Sequence, residues 1–315
     1  MAFPLLKRLT EVGDPLAVKV FKEEIVKRLG SGYPSVITYL LKEKYTDYIS
    51  RQDLFYSLLE PKEAEVILEL EAFLGETTKI DDIKEYEEDE RMSITIENKK
   101  IVRLQVVGCG LKYLPENLIK LTHLKHLYLN GNDFRNLPKW IGDLKALETL
   151  ALRSCDLESI PGSICNLKRL EKLNLVNNYL TELPISIGNL VNLKELNCGG
   201  NELEELPKSI GLLKYLEELY LNGNVIKELP DSLGNLSNLK QLVLELNKLK
   251  SLPDTVHNLI NLEKLDIDGN YFKNIPNFVL DLPKIKELKI DSNLLETVSD
   301  DMKRQLDSRH IYIGD

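Results

Sequence analysis

Leu216–Glu217–Glu218–Leu219–Tyr220–Leu221–Asn222–Gly223–Asn224–Val225–Ile226–Lys227–Glu228–Leu229–Pro230 is followed by Asp231–Ser232–Leu233–Gly234–Asn235–Leu236–Ser237–Asn238, and at Leu239 the same pattern starts again. Units open at Ile101, Leu124, Leu147, Leu170, Leu193, Leu216, Leu239, Leu262 and Ile285, a constant 23-residue spacing. A period of that length, held without a slip, marks a solenoid. Each unit is apolar at places 1, 4, 6, 11, 14, 18 and 21, which in the quoted unit are Leu216, Leu219, Leu221, Ile226, Leu229, Leu233 and Leu236. Places 4 and 6 alternate as a short strand does. Places 18 and 21 lie three apart, as on one face of a short helix. One strand and one helical turn bury too little alone, so stacked copies must share a core.

Two polar places repeat with the apolar ones. Place 9 is Asn132, Asn178, Asn201, Asn224, Asn247, Asn270 and Asn293, with Cys109 and Cys155 in the remaining units. A short amide there can bond the turn backbone of its own and the neighbouring coil. Place 15 is proline from Pro115 to Pro276 in eight units, where a fixed φ turns the chain and no amide donor is needed. Ser299 takes that place in the ninth unit.

This pattern resembles the leucine-rich repeat family, specifically its 23-residue intracellular class with LPxxIGxL, on Leu183–Pro184–Ile185–Ser186–Ile187–Gly188–Asn189–Leu190. It is similar to the Ras-group members of that class: Ras suppressor proteins, Scribble-like scaffolds and plant Ras-group proteins. The layout, helical N-terminus included, also looks like that of archaeal, Asgard-type leucine-rich repeat proteins. The resemblance implies an α/β solenoid, a horseshoe whose concave parallel sheet has about ten short strands, preceded by a small all-α bundle. It further implies a protein-protein interaction scaffold, with a small Ras-like GTPase or its regulator as first partner.

Around the repeats the chain divides by composition. Residues 1–75 read as a helical domain of about four helices. Asp14–Pro15 opens one, with Leu16, Val20, Phe21, Ile25, Val26 and Leu29 as its apolar stripe, and Gly30–Ser31–Gly32 ends it. Pro34–Ser35 opens the next, Ser50 with Asp53 forms a capping box, and the longest helix runs from Pro61 to the stop at Gly75. Residues 76–91 carry a charge run that reads as an acidic linker or exposed helix. Residues 92–100 supply a capping strand and turn, a hairpin with the first repeat. Nine repeats fill 101–307, and 308–315 is a truncated tenth, with Arg309–Ile313 as its strand in the same 23-residue register.

The formal net charge of −9 argues against general nucleic-acid binding and against anionic membranes. No segment reads as a signal-peptide core or membrane span. Of four cysteines, Cys109 and Cys155 sit at the Asn place, Cys198 at strand place 6 and Cys165 in a convex segment, with no cysteine-rich cap. That usage implies reduced thiols and a cytoplasmic location. A monomer is expected, with self-association through the last strand or the helical bundle as the alternative.

Places 3, 5, 7 and 8 face outward from the concave sheet, a surface the size of a protein partner's footprint. Place 5 offers Tyr128, Asn174, Asn197, Tyr220, Val243 and Asp266; place 7 offers Arg153, Asn222, Glu245, Asp268 and Asp291. The early half carries Arg103, His126, Arg153 and Lys172, the late half Glu218, Glu245, Asp266, Asp268 and Asp291. Place 8 is mostly Gly, Asn or Ser, but Leu246 holds it in the seventh unit. With Tyr220 and Val243 it is expected to form an exposed apolar patch beside the acids, the composition of a binding hot spot. No nucleophile, base and oxyanion site lie together, and no Cys or His pair has metal-ligand spacing, so neither catalysis, a cofactor nor a metal is expected. The alternative is an activity in the helical domain, with Glu23, Glu24, Tyr39, Tyr45 and Tyr48 available and the repeats selecting its substrate.

Overall fold

The computed structural model describes residues 2–81, 91–292, 294, 299–309 and 311–314. The chain falls into two units, Met1–Leu104 and Gln105–Asp315.

From the N-terminus five helices precede three strands: α1 (Ala2–Glu11), α2 (Pro15–Gly30), α3 (Pro34–Lys42), α4 (Arg51–Leu58), α5 (Pro61–Leu74), then β1 (Lys79–Asp81), β2 (Met92–Glu97) and β3 (Lys100–Val106), whose last two residues belong to the second unit. The boundaries follow from capping chemistry. The Asp14 carboxylate accepts from the Leu16 and Ala17 amides, both at 2.9 Å, and occupies two of the orphan donors of α2. Ser50 Oγ accepts from the Asp53 amide at 3.0 Å and donates to its carboxylate at 2.7 Å. Gly75 ends α5 in the left-handed region, φ 68°. The core of α2 is Ala17, Phe21, Ile25 and Leu29. Leu16 and Val20, expected in the stripe, are 70% and 39% exposed. Spacing of four from Phe21 selects Ala17, so the small residue is inside and the large one next to it outside. Phe3 and Tyr45 close over Phe21, with ring centroids at 5.1 and 5.9 Å.

Asn98 and Lys99 both have positive φ, 51° and 63°, which makes a two-residue hairpin turn between β2 and β3. The buried Glu63 of α5 accepts the Ile101 amide at 2.5 Å. An additional strand, β1, pairs parallel to β2 with Ile80 opposite Ile94, where the charge run alone predicts only a linker or exposed helix. The remainder of that acidic run, residues 82–90, lies outside the described residues.

The second unit is the repeat array. Its strands are β4 (His126–Tyr128), β5 (Thr149–Ala151), β6 (Lys172–Asn174), β7 (Glu195–Asn197), β8 (Glu218–Tyr220), β9 (Gln241–Val243), β10 (Lys264–Asp266), β11 (Glu287–Lys289) and β12 (Tyr312–Gly314). Each pairs parallel to the next in sequence order. From β4 to β11 every residue faces its equivalent one repeat on, Leu127 opposite Leu150 and so on to Leu265 opposite Leu288. These place-4 leucines are 0 or 1% exposed. Each contributes roughly 1.5–3 kcal/mol of transfer free energy, largely offset by chain entropy.

The convex segments are 3₁₀ turns of three to five residues, such as Asp231–Asn235, rather than α-helical turns. In every turn but Ile187–Asn189, which Ser186 precedes, the place-15 proline is the residue before the turn, as with Pro230 at φ −71°. Packing is tight enough to require the glycine of the LPxxIGxL motif: a Cβ at Gly188 would lie 2.2 Å from the Ser209 carbonyl oxygen. The array departs from its period at β12. There Leu288 pairs with Ile313 and not with Ile311, the partner that the repeat predicts. The segment leading to it is an α-helix, Asp300–Ser308. An α-helix rises about 1.5 Å per residue against about 2.0 Å for a 3₁₀ turn, so it uses more residues for the same span. A slip of two keeps side-chain alternation, where a slip of one would invert it.

The Asn ladder provides the polar interior. Asn224 Nδ2 donates to the Cys198 and Leu221 carbonyls at 3.0 and 2.9 Å, and its Oδ1 accepts from the Leu203 amide at 3.0 Å. Asn132, Asn178 and Asn247 repeat the arrangement. Where Cys155 replaces Asn, its thiol donates to the Leu129 carbonyl at 3.1 Å, and burial pushes its pKa up to about 11.

Candidate functional site

The outward face of β4–β11 is the site that the repeat places together. Along it the expected residues divide into those the coil uses for itself and those left over. Asn174 and Asn197 are half-buried, and each Oδ1 accepts the amide two residues on, Val176 and Gly199, at 3.1 Å. Asn222 is half-buried against Gly199, with its Oδ1 2.7 Å from where a Cβ would stand. Tyr128 is half-buried on β4, and Arg153 is exposed.

The expected basic early half is weaker than charge counting implies. Arg103 is buried at 7% exposure, as is its neighbour Gln105 at 1%. Lys172 is committed to Glu195 at 2.8 Å, a pairing that raises its pKa. His126 keeps a ring nitrogen 3.2 Å from the Thr149 hydroxyl.

In the late half two expectations fail. Val243 is buried at 8% exposure and Asp266 at 4%. They stand in one row, since Tyr220 pairs with Val243 and Val243 with Asp266, and each is covered by its cross-strand neighbours. Burial raises the pKa of Asp266, against the lowering effect of its hydrogen bond from the Asp268 amide. Tyr220 is half-buried, and its hydroxyl donates to Glu218 at 2.6 Å. Burial and that carboxylate push its pKa up.

What remains outward is Leu246, 58% exposed, with Glu245, Asp268 and Asp291 half-exposed around it. Asp291 accepts from the Gly269 amide at 3.1 Å. Among the described residues none of these three acids is in an ion pair. Place 8, the place of Leu246, is left-handed in every coil from Gly108 to Gly269: Gly108, Gly131, Ser154, Asn177, Gly200, Gly223, Leu246 and Gly269 have φ between 53° and 68°. For a branched side chain that conformation costs on the order of 1–2 kcal/mol, the cost that favours Gly and Asn there. At 58% exposure, with its Cδ2 against Gly269, Leu246 recovers only part of that cost by burial. The sequence carries a signal for this residue, since it alone breaks a row of small residues.

Among the described residues no group of His, Cys, Asp and Glu is arranged to hold a metal ion, and no helix is long and apolar enough to cross a membrane. A groove of about 1110 Å³ runs along the turns of residues 181–230, over Leu183, Leu206 and Leu229, with Glu182, Glu205 and Glu228 at its edge.

The chain belongs to the leucine-rich repeat region family, which matches residues 92–201 and 185–308. Among solved structures it is similar to a leucine-rich repeat protein of Leptospira interrogans, with 37% identity and TM-score 0.56 over 57% of this chain and 46% of that one. It is similar to the ectodomain of the plant membrane receptor kinase GASSHO1/SCHENGEN3 from Arabidopsis thaliana, solved in complex with Casparian Strip Integrity Factor 2, with 27% identity and TM-score 0.51 over 62% and 30%. A PEPR1–AtPEP1 structure matches with 30% identity and TM-score 0.52 over 62% and 32%. The chain thus spans less than half the length of each of these neighbours. No curated protein sequence matches it.

Proposed function

We propose that this protein is a cytoplasmic scaffold that binds a protein partner on the late half of its sheet face, with a basic patch on the partner meeting Glu245, Asp268 and Asp291 around Leu246. The observation that carries this reading is Leu246 itself: an exposed, branched side chain held in a left-handed conformation that the neighbouring coils give to small residues. Backbone strain at an exposed side chain is a mark of binding sites. An exposed apolar anchor ringed by charge outside any ion pair supplies both affinity and a steered encounter. The structurally similar plant ectodomain, solved with a bound factor, supports docking on such a scaffold.

The finer reading rests on the 23-residue period and the LPxxIGxL motif: a Ras-group-like array, with a helical unit like that of archaeal leucine-rich repeat proteins and a small Ras-like GTPase or its regulator as partner. Thiols that are free and mostly buried, with the pKa of Cys198 pushed up to about 12 by burial, suit a reducing compartment. The protein acts as a monomer without cofactor or catalysis of its own.

The test is surface plasmon resonance of the protein against a panel of nucleotide-loaded Ras-like GTPases. A binder should lose about tenfold in association rate with E245K/D268K and show a flatter salt dependence. Binding by none of the panel would remove the GTPase assignment. A binder indifferent to E245K/D268K and to Leu246→Asp would remove the proposed surface.

A further inference from the structure

We propose that the helical unit contains a ligand site for a small aliphatic carboxylate, in the cavity bounded by α2, α3, α4 and the β1–β2 edge. The cavity has a volume of about 940 Å³, within the range of sites that take small organic ligands. Its walls are aliphatic: Leu29 and Leu58 are buried, and Ile37, Leu41, Ile80 and Ile96 are part-exposed along it. An alkyl chain fits such walls, and among the described residues no aromatic ring lines them to stack on a planar ligand.

Two observations point to a ligand beyond the cavity itself. Thr95 lines it at 2% exposure, and its hydroxyl has no hydrogen-bond partner among the described residues. A buried orphan hydroxyl is costly, and a ligand oxygen would satisfy it. The adjoining cavity of about 460 Å³ shares Leu41, Lys42 and Ile80, and there Thr78, 3% exposed, has an unpartnered hydroxyl of its own. Ser57, also buried, spends its proton on the Asp53 carbonyl at 2.6 Å and retains acceptor capacity.

Charge selects the acid over the alcohol or amine. The rim carries Lys42 and Lys99 against Glu97, on a chain whose net charge is −9. Among the described residues neither lysine is in an ion pair. The site therefore offers an aliphatic slot, a hydroxyl inside it and a cationic rim, which together define a monocarboxylate with an alkyl body.

Isothermal titration of the full chain with octanoate and dodecanoate, each below its micelle concentration, tests this against the matched alcohols and alkylammonium ions. The expected result is saturable one-to-one binding of the carboxylates, weakened about tenfold by K42E/K99E and abolished by Ile37→Trp with the circular dichroism unchanged. Thr95→Val should raise the melting temperature of the free protein while weakening binding about fivefold, a pair of opposite effects that a purely structural threonine would not give. Absence of saturable binding, binding that survives Ile37→Trp in folded protein, or equal binding of the alkylammonium ion would each overturn the assignment.

Discussion

In the repeat unit one residue type does the same job from coil to coil with few exceptions, whereas in the helical unit each core residue has a job of its own. Asn178, Asn224 and Asn247 make the same three kinds of bond. Phe21 packs against Phe3, Tyr45 and Tyr48 in an aromatic cluster that occurs once. Repetition turns the array into its own control, so a residue such as Leu246 that breaks a row needs its own explanation. The helical unit has no internal control. There, candidates surface only through geometry, as with the orphan hydroxyl of Thr95.

This contrast can be broken first at the Asn ladder. Asn178→Ala strands the Cys155 and Leu157 amides and the Leu152 carbonyl, and at about 1–3 kcal/mol for each buried group the loss should exceed about 3 kcal/mol. Asn224→Ala and Asn247→Ala each strand one amide, Leu203 or Ile226, because their carbonyl partners keep a second donor from the adjoining coils; each should cost about 1–3 kcal/mol, and the two should agree within about 1 kcal/mol. Chemical denaturation of the three variants checks this, and a threefold difference between Asn224→Ala and Asn247→Ala would end the claim of equivalence. In the helical unit Phe21→Ala should cost about 3–5 kcal/mol, while Leu16→Ala, one face away and exposed, should cost under about 0.5 kcal/mol. Similar losses at both positions would show that the packing of α2 is misassigned.

Leu246→Asn sharpens the contrast. Asn tolerates the left-handed region, so the folded protein should gain up to about 1 kcal/mol, a rise in melting temperature with no gain of contacts. A drop would mean that Leu246 is held by packing. The smallest effect concerns pH. Asp266 has its pKa raised in the folded state, so its contribution to stability is fully present below the unfolded value and is lost as pH rises through the folded value. Asp266→Asn should therefore exceed the wild type in stability at neutral pH, with the gap closing in acid, as followed by melting temperature across pH.

The fold was legible because the 23-residue period fixes which side chains are inward before any coordinate is known. The caps of α2, α4 and α5 were legible from Asp14, Ser50 and Gly75 for the same local reason. Leu16 and Val20 were not, because a helix with apolar residues on several sides leaves its buried face to tertiary packing. The docking surface was half legible. Leu246 stood out from its row, but the burial of Val243 and Asp266 depends on the bulk of side chains on the adjoining coils, a full repeat away in the chain. The slip at β12 escaped because it comes from an α-helix standing where every earlier coil has a 3₁₀ turn.

The most direct test measures association kinetics of one identified protein partner with wild type, with Leu246→Asn and E245K/D268K on the late sheet face, and with Lys208→Glu and Lys227→Glu along the turn-side groove. The account predicts that both late-face variants lower affinity at least tenfold while the groove variants leave it unchanged. Undiminished affinity in the late-face variants, with loss confined to the groove variants, would contradict it.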